Sequence, residues 1–258
     1  STIKFNSIKK VFLYEKSNYL IKLQKKNILD DNIKWITNFN NIKKGPIIFF
    51  GNEFFDAIPI KQFKKKNNSW FEKNYTINNE NKIFEIFKRA SRDNIKKIKS
   101  YKTLKNLKFI EFPKLGLEEL KKISKKILKL KGCIMIIDYG YLKPNNQNTL
   151  QSVMKHRKNY LLDNLGKADI TSHVNFSLLD EFFLKKNLKT KKIISQKKFL
   201  ENMGIIERAK ILSGRMNFKE QTNLYLRLKR LLSPRLMGSL FKVILAYKFR
   251  ENNFPGFR

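Results

Sequence analysis

Two short apolar runs, Ile47–Phe50 and Cys133–Ile137, constrain this chain most, because each breaks off at acid-bearing polar residues. The first follows a Gly45-Pro46 turn and leads into Asn52-Glu-Phe-Phe-Asp56. The second leads into Asp138-Tyr-Gly140. Apolar runs of this length bounded by turn signals read as buried strands of a parallel sheet. Ligands of open α/β sheets bind just beyond the carboxyl ends of such strands. Acids are scarce here, 21 against 56 basic residues, so Glu53 and Asp56, three apart around an apolar Phe54-Phe55 pair, stand out. The bland alternative is a helix start capped by Asn52, with Glu53 favoured by the helix dipole.

The rest of the pattern agrees with an α/β fold. Lys9–Tyr14 reads as a strand ending at Glu15, and Ser17 caps a helix that runs to Lys26. A short strand, Lys34–Thr37, comes before Ile47–Phe50. This β-α-β-β order predicts a Rossmann-like sheet, with Val11–Tyr14, Ile47–Phe50 and Cys133–Ile137 as neighbouring buried strands. Ile60–Lys65, Trp70–Ile77 and Lys82–Phe87 are strand-like and separated by Asn-rich turns, so residues 60–112 read as an inserted β-hairpin and helical subdomain. Within it, residues 88–108 are basic and poorly patterned, the signature of a mobile helical segment. Leu117–Leu130 is the clearest helix: one apolar face, Glu118 and Glu119 in the first turn, lysines in the last, and Gly132 as the stop. Ser177 is positioned to cap Leu178–Lys186, and Lys189–Ile194 is strand-like. Gln196–Met203 reads as a short helix closed by Gly204, Lys219–Leu232 as a longer one, and Leu240–Tyr247 as a last buried strand.

Composition narrows the function classes. The length of 258 residues fits one domain with a subdomain. The single cysteine, Cys133, excludes an internal disulfide framework, and its apolar neighbours give it a packing role. No apolar stretch approaches the roughly 20 residues of a spanning helix. No Cys/His spacing fits a structural zinc site, so no metal is expected. No signal peptide is visible, although a chain that opens at Ser1 leaves a removed leader open. The net charge of +35 invites a nucleic-acid reading, but 46 lysines against 10 arginines, spread along the chain, argue against it as the main function. Lys, Asn, Ile and Phe are what AT-rich codons supply. The aromatic-basic stretch Ser69-Trp-Phe-Glu-Lys73 reads better as a hairpin packing its rings than as a base-stacking surface.

Six ordered motifs resemble the MidA-like family of S-adenosylmethionine-dependent methyltransferases, which includes a mitochondrial complex I assembly factor that methylates an arginine. They are Asn52-Glu-Phe-Phe-Asp-Ala-Ile-Pro59, Ile137-Asp-Tyr-Gly140, Thr149-Leu-Gln with His156, Gly166–Phe176, Gln196–Gly204 and Met237–Val243. In the fourth motif Asn175 stands where the family has an acid. The match covers nearly the whole chain, apart from the family's first strand and glycine-rich loop, for which nothing upstream of Glu15 is a counterpart.

The resemblance implies a Rossmann-like methyltransferase fold with an antiparallel insertion, and a cofactor, S-adenosylmethionine. It implies that Glu15, at the end of the second strand, accepts the cofactor's ribose hydroxyls, and that Asn52 lies near the methyl group. Glu53 and Asp56 become the candidate catalytic carboxylates. Asp138, Tyr139, His156 and His173 become candidate substrate-binding residues. Taken alone, either histidine reads as an ordinary surface or core residue. The implied substrate is a protein arginine, in a subunit of respiratory complex I, with a homodimer left open. The implied location is the cytoplasm in a bacterium and the mitochondrial matrix in a eukaryote. Two other classes stay open at this point: a noncatalytic assembly module without the cofactor loop, and a basic nucleic-acid-binding protein supported by charge alone.

The chemistry explains why carboxylates matter to the first reading. A guanidinium is a poor nucleophile because its lone pairs are delocalised and it stays protonated. Carboxylates grip it in a fixed fork and stabilise its charge while the methyl group is transferred in line.

Overall fold

A computed structural model describes residues 10–155, 157–250 and 253–258, in two compact units, Ser1–Gly45 and Pro46–Arg258. In the first unit, β1 (Val11–Tyr14) pairs in parallel with β2 (Ile33–Ile36), joined by α1 (Asn18–Asn27). The Ser17 side chain accepts the Leu20 N–H, which satisfies one of the free donors of the first turn of α1. Glu15 follows the carboxyl end of β1. This two-stranded sheet carries the β-α-β order read from the sequence. Its ladder joins β1 to β2; of the expected row of three neighbouring strands, the two in the second unit pair with each other.

The second unit is built on a mixed sheet. β3 (Ile47–Asn52) pairs in parallel with β8 (Gly132–Tyr141), Asn52 opposite Ile137. β8 also pairs antiparallel with β15 (Phe241–Lys248) along eight residues, which puts it between two neighbours and buries it almost throughout. Ile134, Ile136, Ile244 and Ala246 are buried on one face of the sheet, and Ile137, Phe241 and Val243 on the other. β3 is not buried in the same way: Ile48 and Phe50 are 75% and 61% exposed. The sequence pattern registers apolarity, and an apolar strand need not be covered on both faces.

In the chain between β3 and β8 come the strands of a separate antiparallel sheet, β4 (Lys61–Lys66), β5 (Ser69–Ile77), β6 (Ile83–Arg89) and β7 (Phe109–Phe112), in the order β6-β5-β4-β7. Asn67, Asn68 and Asn81 adopt positive φ in the two hairpin turns, a conformation that suits Asn better than most residues. The stretch expected to be a mobile helical segment holds one short helix with buried apolar residues. Ser91 caps α2 (Arg92–Lys99), and Ile98 and Leu104 are buried at 2% exposure. Few apolar residues were needed to seat it, which is why its pattern looked poor.

α3 (Lys114–Leu130) starts three residues before its expected start, directly after Pro113, so Glu118 and Glu119 fall in the second turn and not the first. Leu117, Leu120, Ile123 and Ile127 are its buried face. After β8, β9 (Gln151–Met154) pairs with β10 (Arg157–Asn159) and β11 (Asp169–Thr171) in a small antiparallel sheet. β12 (Val174–Asn175) adds to the end of β8. There Gly140 is required, because a Cβ on it would lie 2.0 Å from the Val174 carbonyl oxygen. α4 (Phe176–Lys185) is capped by Asn175, whose side chain accepts the Leu178 N–H, and not by Ser177. The asparagine that departs from the family's acid is therefore an effective cap.

The expected strand at Lys189–Ile194 is broken into β13 (Lys189–Thr190) and β14 (Ile194–Ser195), both paired with β15. The remaining helices are α5 (Gln196–Asn202), α6 (Ile205–Ser213), α7 (Phe218–Leu232) and α8 (Met237–Leu240). Gly204, at φ 77°, separates α5 from α6. No helix among the described residues is long and apolar enough to cross a membrane.

Candidate functional site

The segment after β3 forms no helix, so the capping alternative for Asn52 falls away. Glu53 turns the chain at φ 47° and donates its N–H to the Ile137 carbonyl, which ends the ladder to β8. The chain then folds back over β8, and Phe55 is buried at 3% exposure against α3. A glycine is needed opposite it, since a Cβ on Gly116 would lie 2.6 Å from the Phe55 ring.

Asp138 holds this turn. It lies inside β8, which continues to Tyr141, and not at a strand end as the pattern suggested. Its Oδ2 accepts the N–H groups of Phe55 at 2.9 Å and Asp56 at 3.2 Å, and its Oδ1 accepts the Tyr139 N–H at 2.9 Å. Asp138 is fully buried. Burial, with the nearby Asp56 charge, pushes its carboxyl up to about 7 against the pull of the three backbone donors.

Asp56 is buried at 6% exposure and is only half satisfied. The Tyr139 hydroxyl donates to its Oδ2 at 2.6 Å, while its Oδ1 is buried with no hydrogen-bond partner among the described residues. A bare carboxylate oxygen in a protein interior is costly, so native structures rarely leave one without a reason. The Asp56 backbone carbonyl is not idle: it accepts the Ser172 N–H at 3.0 Å, tying the turn to the segment that carries His173.

Tyr139 is the hub. Its ring meets the His173 ring edge-on at 5.4 Å and the Phe241 ring at 5.5 Å. Burial together with the Asp56 bond raises its pKa well above the usual tyrosine value, with the Thr171 side chain acting the other way. Tyr139 is therefore a neutral donor at physiological pH. Burial holds the His173 imidazole below its usual pKa, with the Glu111 charge pulling the other way.

The structure thus brings Asp56, Asp138, Tyr139 and His173 together. Asn52 and Glu53 are exposed at the end of β3, beside this bonded set and outside it. His156 lies outside the described residues. Glu15 is half-buried in the first unit, and its Oε1 accepts the Lys16 and Ser17 N–H groups, each at 2.8 Å. Thr171, Phe241, Thr149 and Glu111 also bear on the site and were not singled out from the sequence. Thr149, Thr171 and Phe241 lay within matching motifs without being picked out as site residues, and Glu111 carries no local signal. Among the described residues, no group of three His, Cys, Asp or Glu is placed to hold a metal ion.

The fold is that of the Rossmann-like methyltransferases. It superposes on a Burkholderia thailandensis protein solved with bound S-adenosyl-homocysteine, with TM-score 0.80, 19% identity, and coverage of 96% of this chain and 66% of that one. A native structure from the same organism and superfamily gives TM-score 0.81 at 19% identity, covering 96% and 69%. A family model described as "Putative S-adenosyl-L-methionine-dependent methyltransferase" matches residues 2–194, and the chain belongs to that family.

Among curated proteins, it is 27% identical over 214 residues to the zebrafish (Danio rerio) mitochondrial protein arginine methyltransferase NDUFAF7, covering 81% of this chain and 49% of that protein. For the human protein of the same name the values are 26% over 210 residues, 81% and 47%. The Caenorhabditis elegans homolog is 26% identical over 190 residues, covering 70% and 43%. The chain spans about half the length of the curated relatives it matches.

Proposed function

We propose that this chain takes part in S-adenosylmethionine-dependent methylation of a protein arginine, with Asp56 as the carboxylate that grips the guanidinium. The observation that carries the reading is the buried Oδ1 of Asp56, which has no partner among the described residues. A guanidinium N–H is the donor that such an oxygen lacks, and a charge-assisted bond there is stronger than in water. The Tyr139 hydroxyl fixes the other oxygen, so the carboxylate cannot rotate away. Asp138 acts behind the turn by holding the N–H groups of Phe55 and Asp56, and His173 positions the Tyr139 ring. Asn52 and Glu53 line the exposed approach.

Glu15 fits the cofactor role that its strand-end position implies. Its Oε1 is occupied by two backbone donors, which locks the carboxylate and leaves Oε2 to accept a ribose hydroxyl. The chemistry S-adenosylmethionine supplies when bound is an electrophilic methyl group on a sulfonium. The names of the curated relatives support a protein arginine as substrate and a mitochondrial location in a eukaryote. Action in complex I assembly rests on the family resemblance.

The test is calorimetric titration with S-adenosylmethionine, followed by transfer of labelled methyl to arginine-containing proteins. Saturable binding that weakens in Glu15→Ala, with label recovered as methylarginine, is the expected result. Absence of both binding and transfer would return the chain to the noncatalytic module.

A further inference from the structure

Glu111 lies on β7, in the antiparallel sheet, yet it is bonded to the segment that leads to the site. It is buried at 8% exposure and its oxygens are crowded with donors. Oε1 accepts the N–H groups of Thr149 at 3.0 Å and Leu150 at 3.2 Å, and the Gln62 side-chain amide at 2.9 Å. Oε2 accepts the Thr149 hydroxyl. Gln62 adds a second tie, donating to Asn148 Oδ1 at 2.7 Å, and Asn146 Oδ1 accepts the Lys108 and Phe109 N–H groups. The 146–150 segment is therefore fastened to the antiparallel sheet at several points, with Glu111 at the centre.

One further bond carries this fastening to the site: the His173 N–H donates to Thr149 Oγ1 at 3.0 Å. The direction of the chain is fixed by chemistry. An ionised carboxylate only accepts and a backbone N–H only donates, so the single Thr149 proton must go to Glu111 while its oxygen takes the His173 N–H. Beyond His173 the contacts are those of the site. Its ring sits edge-on to Tyr139, whose hydroxyl donates to Asp56.

We propose that Glu111 and Thr149 are positioning residues, a carboxylate–hydroxyl relay from the antiparallel sheet that sets His173 against Tyr139 and so aims Asp56. The proposal rests on the reading of Asp56 as the guanidinium-binding group. It gives the antiparallel sheet a task in the reaction beyond packing. Small displacements of aligned groups are expensive in rate, so loss of the relay is expected to lower kcat roughly 10–100-fold while KM stays nearly constant.

The experiment compares Thr149→Val, which keeps the shape and removes the hydroxyl, with Thr149→Ser, which keeps the hydroxyl and removes the methyl. Glu111→Gln is the third variant, since an amide nitrogen cannot accept the Thr149 proton. Two readouts are taken on the full chain: methyl transfer kinetics and the ring ¹⁵N signals of histidine. The chain has two histidines, so a His173→Gln spectrum assigns the His173 signals directly.

The relay predicts that Thr149→Val and Glu111→Gln both shift the His173 signals and lower kcat, and that Thr149→Ser restores both. If Thr149→Val keeps the wild-type signals and rate, or if serine fails as valine does, the relay is overturned. Should Glu111→Gln not fold, the threonine pair decides alone. A wild-type chain that transfers no methyl would sink the functional reading, and the His173 signals would still judge the relay.

Discussion

Two buried carboxylates in this molecule, Asp56 after β3 and Glu111 on β7, are nearly equally hidden and differently satisfied. Glu111 takes donors from Gln62, Thr149 and Leu150 on both oxygens. Asp56 takes the Tyr139 hydroxyl on one oxygen and, among the described residues, nothing on the other. Burial alone therefore does not mark a functional acid. A carboxylate with a full set of donors organises its surroundings, whereas one with an unsatisfied acceptor in an otherwise bonded site calls for an explanation, and the proposed guanidinium supplies one.

The most direct way to break this comparison is to remove each group and read rate and stability separately. Asp56→Asn should slow transfer roughly 10²–10³-fold, the range for losing one preorganised charge-stabilising group. Its unfolding free energy should change by about 1 kcal/mol or less, because only one existing bond is at stake. Glu111→Ala should do the reverse in emphasis. It strands the Thr149 and Leu150 N–H groups and the Gln62 amide, which should cost about 2–4 kcal/mol in urea unfolding when water partly replaces the lost acceptor. If Asp56→Asn unfolds the protein and Glu111→Ala leaves it stable, the two roles have been assigned the wrong way round.

How much of this was legible from the sequence depends on the range of the signal. The Ser17 cap, the Asn-rich hairpin turns and the apolar face of α3 are local, and each lies where the residues put it. Asp56 stood out because acids are rare and it follows an apolar strand. The bonds that give it meaning reach across 83 positions, to Tyr139, and no periodicity encodes such a pairing. The same applies to Glu111, whose partner Thr149 is 38 residues away. Phe109–Phe112 was missed as a strand because four residues after a basic stretch carry little pattern. Asp138 looked like a strand-end residue because an acid normally stops a buried strand. Here three backbone donors allow β8 to continue past it.

Asp138 offers a finer test, because it is buried and satisfied by backbone donors alone. In Asp138→Asn the amide nitrogen must face either the Tyr139 N–H or those of Phe55 and Asp56, donor against donor. The expected loss is about 1–3 kcal/mol. The pH dependence has a definite sign. A folded-state pKa raised to about 7 means that the native protein binds more protons than the unfolded chain above the usual carboxylate pKa, near pH 4, and up to pH 7. The stability due to the protonated form is full below that window and is lost as pH rises through 7. Asparagine does not titrate, so the deficit of the variant should be larger at pH 5 than at pH 8. A deficit that grows with pH would show that Asp138 is stabilised as the charged form.

The smallest expected effect belongs to Glu53, and it sharpens the comparison most cheaply. Glu53 is close in sequence to Asp56 and was an equal candidate as a catalytic acid on sequence grounds. The structure leaves it exposed at the end of β3, with its backbone, not its carboxylate, tied to Ile137. A charge in water interacts with a guanidinium at high effective dielectric, and exposed ion pairs contribute about 0–1 kcal/mol. Glu53→Gln should therefore slow transfer less than about tenfold, chiefly through KM, and the residual effect should fade as salt is raised. The Asp56→Asn defect should persist in the same salt series, because its partner is met out of water. If Glu53→Gln instead matched Asp56→Asn in kcat and ignored salt, the substrate would have to draw Glu53 into the buried site. The vacant oxygen of Asp56 would then be only half of the guanidinium fork.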